Sequence, residues 1–157
     1  MSALPRPSTF MSLMGPADVV EVMAIEQQAY PVPWTQGNFI DSLAAGYESG
    51  VLRGAEGRLL AYFLAMKGAD EMHLLNLTVA PGVQGQGLAR GLLDEVCARC
   101  RAERCAQLWL EVRVGNQRAR EVYARFGFSQ VGLRPGYYPA LNGTREDAVL
   151  MSLVIPP

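Results

Sequence analysis

Apolar residues recur along this chain with two periods, and the switches between them mark out its elements. Val19, Val22, Met23 and Ile25 share one side of a stretch that opens at Pro16 and Asp18 and ends near Tyr30, the spacing of a helix. Pro31 and Pro33 then force an extended turn, and Thr35 has the N-cap chemistry for a second, shorter helix carrying Phe39, Ile40 and Leu43 and closed by Gly46. A short strand is expected around residues 8–14. Three more follow at residues 48–55, 58–66 and 72–80, with Glu56-Gly57 and residues 67–70 as turns, which makes a meander of neighbouring strands.

The period then lengthens again. Leu88, Leu92, Val96 and Cys100 form one row and Ala89, Leu93 and Cys97 an adjacent one, while Arg90, Asp94, Glu95, Arg99 and Arg101 fall on the opposite side, so a helix over residues 86–104 packs one face on the sheet. A strand over 107–114, a helix over 116–126 and two final strands around 128–133 and 147–154 complete a mixed α/β layer fold. Repeats, charged tails and linkers are absent from the sequence, which predicts a single domain over residues 11–157 behind a frayed start at residues 1–10.

Composition narrows the function. At 157 residues, any active site has to sit inside one fold, because the chain is too short for separate cofactor and substrate domains. A net charge of −1 suggests no polyanion partner, so bulk nucleic acid is not expected. The longest apolar run, residues 59–66, is strand-sized, and residues 1–10 lack an apolar signal core; a cytoplasmic protein without a membrane span is expected, with a monomer as its simplest assembly. Cys97, Cys100 and Cys105 read as buried reduced thiols. The Cys-x-x-Cys pair falls inside a helix rather than at its start, His73 is the only histidine, and no metal is expected.

Candidate chemistry begins at Val83-Gln84-Gly85-Gln86-Gly87-Leu88-Ala89-Arg90, a glycine-bearing turn between a strand and a helix. The first amides of a helix have no intrahelical acceptor, glycine lets a ligand approach the backbone, and the helix dipole adds positive potential, so the corner is suited to a phosphate-bearing cofactor. It is not a dinucleotide fingerprint, since Arg90 stands where the third glycine belongs, and no Gly-Lys-Ser/Thr follows to make a P-loop. The plainer alternative is that Gly82, Gly85 and Gly87 only shape a turn.

In the strand Leu108-Trp109-Leu110-Glu111-Val112-Arg113-Val114, alternation sets Trp109, Glu111 and Arg113 on a mixed face. Partial burial favours the neutral form of a carboxylic acid and brings such a group within range of proton transfer near neutrality, so Glu111 is a candidate general base; the alternative is an ion pair with Arg113 or another cation. Asn116 is placed to cap the next helix, on which Ala119, Val122, Tyr123 and Phe126 share a stripe. Tyr123 is either core packing or, where its hydroxyl opens into a pocket, an acid. His73 lies on a strand near a turn as a solvated or hydrogen-bonded residue. Residues 134–147 read as a loop between the last two strands, either a hairpin connection or a substrate contact.

Taken together these segments resemble the GNAT superfamily of acetyl-CoA-dependent N-acetyltransferases, whose cofactor loop, Gln/Arg-x-x-Gly-x-Gly/Ala, is matched by Gln84-Gly85-Gln86-Gly87-Leu88-Ala89. Within it the chain looks like the bacterial RimI-type ribosomal-protein alanine acetyltransferases, in Ile25-Glu26-Gln27, Pro33-Trp34, residues 108–113, Asn116, Val122-Tyr123, Gly127-Phe128, Tyr137-Tyr138-Pro139 and Arg145-Glu146-Asp147-Ala148, over about residues 19–153. The resemblance implies the single-domain acyl-CoA N-acyltransferase fold, a central mixed, mostly antiparallel sheet flanked by helices.

It also implies roles. Acetyl-CoA would lie along Leu77, Thr78 and Val79, with its pyrophosphate on the amides of Gly85, Gln86, Gly87, Leu88, Ala89 and Arg90 and a further contact at Asn116. Glu111 would be the general base and Tyr123 the general acid, flanking one cofactor slot, with an oxyanion donor at an irregular strand end near Val79. The acceptor would be the N-terminal alanine of small-subunit ribosomal protein eighteen, with Trp34, Tyr137 and Tyr138 as walls of a peptide groove. The rival readings are another protein N-terminus, a small amine, or a regulatory module that binds acyl-CoA without transfer.

Overall fold

Local chemistry sets the start of the second helix and both ends of the fourth, and together the elements form one sheet with a pair of helices on either face. The computed structural model describes residues 8–157, so the start expected to fray lies outside the described residues as far as residue 7. In chain order come β1 (Phe10–Ser12), α1 (Val19–Ala29), α2 (Gln36–Ala44), β2 (Glu48–Arg53), β3 (Leu59–Lys67), β4 (Glu71–Val79), α3 (Leu88–Ala102), β5 (Gln107–Arg113), α4 (Gln117–Phe126), β6 (Ser129–Pro139) and β7 (Arg145–Val154). Phe10 is therefore part of a strand, paired with Arg53, and not of a frayed segment.

The caps follow the expected chemistry. Thr35 accepts from the Asn38 amide while the Asn38 side chain accepts from the Thr35 amide, a reciprocal box that fixes the start of α2. Asn116 accepts from the Ala119 amide at the start of α4, and Gly127, at φ 126°, ends it.

The sheet runs β1-β2-β3-β4-β5-β7-β6 and is antiparallel except where β4 meets β5. Alternation along β3 sends Tyr62 and Leu64 to one side, against Val19 and Val22 of α1 and Phe39 of α2, and Ala61, Phe63 and Ala65 to the other. On that second side Leu92, Leu93, Val96, Cys97 and Cys100 of α3 and Tyr123 of α4 pack on Leu108, Leu110 and Val112. All three cysteines are buried and unpaired, as expected. No helix among the described residues is long and apolar enough to cross a membrane.

Two irregularities depart from the sequence reading. In β4, Asn76 pairs with Leu64 while Leu74 pairs with Ala65, leaving Leu75 as an unpaired bulge; the irregularity expected near Val79 is here instead. In β6 the strand continues through residues expected to be loop, with a register shift between Arg134 and Tyr138. Pro135 is tolerated because β6 is the sheet edge, where a missing N–H breaks no ladder bond, and the freed Gly136 amide donates to Asp147 Oδ1 at 2.8 Å.

Candidate active site

The bulge at Leu75 opens the sheet. β4 and β5 pair only over Glu71–Leu74 and Gln107–Leu110; beyond that the parallel strands part, although each runs on. The Ala80 amide donates to Leu60, so by antiparallel alternation Thr78 and Asn76 turn their backbone groups to β3, and Leu77 and Val79 turn theirs toward the gap. The Val79 carbonyl accepts from Gln84 Nε2 at 3.2 Å, so a group lying between the strands meets the Leu77 backbone and the Val79 amide first. An oxyanion donor at Val79 is in keeping with this direction, although the bulge that creates the gap lies four residues earlier.

A groove of about 900 Å³ runs from this gap across the N-terminus of α3 to α4. Leu77, Thr78, Val79, Gly85, Gly87, Leu88, Ala89, Arg90 and Asn116 line it; of the residues expected to hold a cofactor only Gln86, which is exposed, does not. Gly85 and Gly87 both take φ +80°, a backbone region costly for side-chain-bearing residues, and a Cβ at Gly87 would meet nothing within 4 Å. The 15-residue helix α3 starts directly after Gly87, whose carbonyl accepts its first bond from Gly91, so the amides of Leu88, Ala89 and Arg90 are left for a ligand. Arg90, Arg113, Arg118 and Arg125 add positive charge around the groove. Free amides, space and cations fit a phosphate-bearing cofactor.

Tyr123 forms part of the groove wall on the α3 and α4 side and meets Phe128 edge-on at 5.5 Å. Burial pushes its phenol well above the usual range, helped by the neighbouring Tyr30 and Tyr138, so it keeps its proton. Glu111 does not line this groove. Its position on β5 turns it to the opposite face, where its side chain is 5% exposed. The two residues thus stand on either side of the sheet at the gap, rather than flanking one slot.

The Glu111 carboxylate is held on both oxygens. His73 Nε2 lies 2.5 Å from Oε2, and Arg134 Nε lies 3.6 Å from Oε1. The ion pair to Arg113 considered from sequence does not form, because Arg113 bonds to Glu146 at 3.1 Å. His73, expected to be solvated or hydrogen-bonded, is the latter, and its ring stacks on Trp109 at 3.6 Å with 9° between planes, and so is fixed.

The three expected groove walls divide. Tyr137 and Tyr138 meet edge-on at 4.9 Å, and the guanidinium of Arg134 lies over the Tyr137 ring. Burial first, then the charge of Glu111, pushes both phenols up, placing them in the carboxylate's field. Trp34 is elsewhere. Its ring packs 5.1 Å from Phe39 against the α1 and α2 cluster, and its amide donates to Glu26, so it braces the turn after α1.

Comparison with known proteins agrees with this geometry. The chain matches the Acetyltransferase (GNAT) family over residues 19–128. It is 36% identical over 138 residues to a ribosomal protein bS18-alanine N-acetyltransferase of Haemophilus ducreyi, covering 88% of this chain and 94% of that one. The same-named protein of Escherichia coli is 34% identical over 145 residues, 92% of this chain and 97% of the relative. A crystal structure of the ribosomal-protein-S18-alanine N-acetyltransferase from Escherichia coli superposes with a TM-score of 0.86 at 33% identity, covering 96% of each chain.

Proposed function

The chain belongs to the acetyltransferase (GNAT) family, and on that premise we propose that it moves the acetyl group of acetyl-CoA to the α-amine of the N-terminal alanine of ribosomal protein bS18. The observation that carries this reading is the gap between β4 and β5: it joins a phosphate-binding groove on one face to a buried carboxylate on the other. A donor and an acceptor entering from opposite faces would meet there, so transfer needs no enzyme nucleophile.

Acetyl-CoA supplies an activated acyl carbon; the chain supplies position and proton handling. The amides at Leu88, Ala89 and Arg90 would hold phosphate, and the Leu77 backbone and the Val79 amide would hold an arm entering the gap. An N-terminal amine has a reference pKa of about 7.7 to 8.0 against about 10.4 for lysine, so far less work is needed to make it nucleophilic at neutral pH. Glu111 accepts the amine's proton on Oε1, the oxygen not bonded by His73. Tyr123, on the groove wall, would meet the departing sulfur. A phenol pushed up by burial holds its proton more tightly than a thiol of pKa about 8.5, so Tyr123 acts as a hydrogen-bond donor to the thiolate more than as a full proton donor.

The test is incubation with acetyl-CoA and a panel of peptides and small amines, read by thiol release and by mass. Selective +acetyl product on an alanine-initiated bS18 peptide supports the reading. Faster acetylation of another N-terminus or a small amine reassigns the acceptor, and cofactor binding without thiol release for any amine overturns catalysis.

A further inference from the structure

A second hydrogen-bond network reaches the groove, and it begins at a buried carboxylate unconnected to Glu111. Glu26 on α1 is 1% exposed. Its Oε1 accepts from the Tyr62 hydroxyl at 2.6 Å and from Asn76 Nδ2 at 3.2 Å, and its Oε2 accepts from the Trp34 amide at 2.9 Å.

The direction of every bond follows from proton counting. A carboxylate only accepts, so the Asn76 amide must present Nδ2 to Glu26 and Oδ1 to Thr78. Thr78 Oγ1 gives its single proton to that Oδ1 at 2.7 Å. Its oxygen also lies 2.7 Å from the Tyr30 hydroxyl, and with no proton left it accepts there. Tyr30 therefore donates to Thr78, not to Leu77 O, which is 3.5 Å away. All protons of the chain point toward Glu26, and the Tyr30 oxygen is left with lone pairs only.

That oxygen sits at the gap. Tyr30 lines the groove with Tyr123 and Leu77, where β4 has parted from β5. A group that can only accept, fixed at the point where donor and acceptor meet, calls for an N–H. The Asn76 amide breaks proton hopping along the chain, because an amide nitrogen does not take up a proton, so Tyr30 can hold an N–H but cannot remove it. Removal remains with Glu111.

We infer that Tyr30 accepts one N–H of the attacking amine and thereby restricts the enzyme to primary amines, an inference that rests on the acetyl-transfer reading above. A primary ammonium carries three protons. The first goes to Glu111 and exposes the lone pair, the nitrogen attacks the acyl carbon as the carbonyl π bond opens, the second passes to the departing thiolate as that π bond re-forms and the C–S bond breaks, and the third stays on the product amide. Tyr30 holds the third. A secondary amine loses both of its protons in the same sequence and leaves Tyr30 unpaired with a carbon substituent against it, and sites built around a substrate N–H reject analogues that lack it.

The experiment compares kcat/KM for an alanine-initiated peptide and its N-methylalanine counterpart across four proteins. The wild type favours the primary amine strongly. Tyr30→Phe lowers kcat/KM for the alanine peptide by about tenfold, the scale of one lost hydrogen bond, and brings the ratio of the two substrates toward one. Thr78→Val, which keeps the phenol but frees its proton to turn, also lowers the ratio. Tyr62→Phe loosens Glu26 at the far end without changing the direction at Tyr30, so the ratio is retained. An unchanged ratio in Tyr30→Phe, or a wild type that accepts both peptides equally, overturns the inference while leaving acetyl transfer in place. If Tyr30→Phe does not fold, the contrast between Thr78→Val and Tyr62→Phe decides. A wild type that acetylates no amine at all fails at the function itself.

Discussion

His73 Nε2 lies 2.5 Å from Glu111 Oε2, and two lone pairs cannot face each other at that separation, so a proton sits between them. One carboxylate oxygen is thereby committed to the imidazole. The other, 3.6 Å from an Arg134 side chain that is 48% exposed, is the one a substrate ammonium can reach by displacing a half-solvated cation. Because His73 is stacked on Trp109, the carboxylate is fixed to a rigid group on the neighbouring strand.

Replacing His73 therefore acts through Glu111. His73→Leu removes a charge-assisted bond worth roughly 1.5–3 kcal/mol, which predicts a ten- to hundredfold fall in kcat/KM, on the order expected for that energy, with acetyl-CoA affinity unchanged. His73→Gln, which retains a donor, recovers part of the loss. Steady-state kinetics with calorimetric cofactor binding checks this; equal losses in both variants would mean that the ring matters only for packing on Trp109.

Glu111→Gln keeps size and polarity while removing the acceptor of the proton. The loss in kcat/KM is expected to be about 10²- to 10⁴-fold, the usual contribution of a positioned base. It is greatest at low pH, where the α-amine arrives protonated, and shrinks as pH rises past the amine's own pKa of about 8. A pH–rate profile of unaltered shape would refute the assignment of Glu111 as base.

What the sequence disclosed was whatever a local rule governs. α2 was legible because Thr35 and Asn38 cap it and Phe39 and Leu43 share its stripe, and the phosphate corner was legible because Gly85 and Gly87 precede an amphipathic helix. The bulge at Leu75 was not. It lies inside the apolar run Leu74-Leu75, where a broken alternation leaves no trace, and without it neither the parting of β4 from β5 nor the approach of His73 to Glu111 can be foreseen. Pro135 and Gly136 read as loop because their turn propensity is local, whereas their tolerance in β6 depends on that strand being an edge, a property of the whole sheet. Trp34 was placed as a groove wall by its neighbours in sequence, while its packing is decided by Phe39 and by the reach of Glu26.

For Tyr123 the expectation separates turnover from binding. Its phenol holds its proton through the whole working pH range, so Tyr123→Phe removes a donor to the leaving sulfur and nothing that holds phosphate. kcat falls by about tenfold or more, the scale of one hydrogen bond made in the transition state, and acetyl-CoA affinity stays within about twofold. Normal turnover with lost cofactor binding would contradict this role and make Tyr123 a part of the groove wall only.

Buried acids also set the alkaline limit of the fold. Burial pushes the Cys100 thiol up to about 12 and raises Cys97 as well, and burial pushes the Tyr30 phenol up to about 12. In the unfolded chain these groups ionise near their ordinary values, about 8.5 for cysteine and 10 for tyrosine. Between those values and about 12 the folded state binds more protons than the unfolded one, so stability is complete below about pH 8.5 and falls as pH rises, by up to about 1.4 kcal/mol per unit for each group. Urea midpoints measured from pH 7.5 to 10.5 should decline, with Cys100→Ala declining less steeply than the wild type. In the same range Cys97 and Cys100 should resist a thiol-specific reagent until the chain unfolds, because the reactive thiolate is the form that burial disfavours. Rapid labelling of both thiols in the native protein, or midpoints that do not change with pH, would show that α3 opens to solvent far more readily than its packing against the sheet implies.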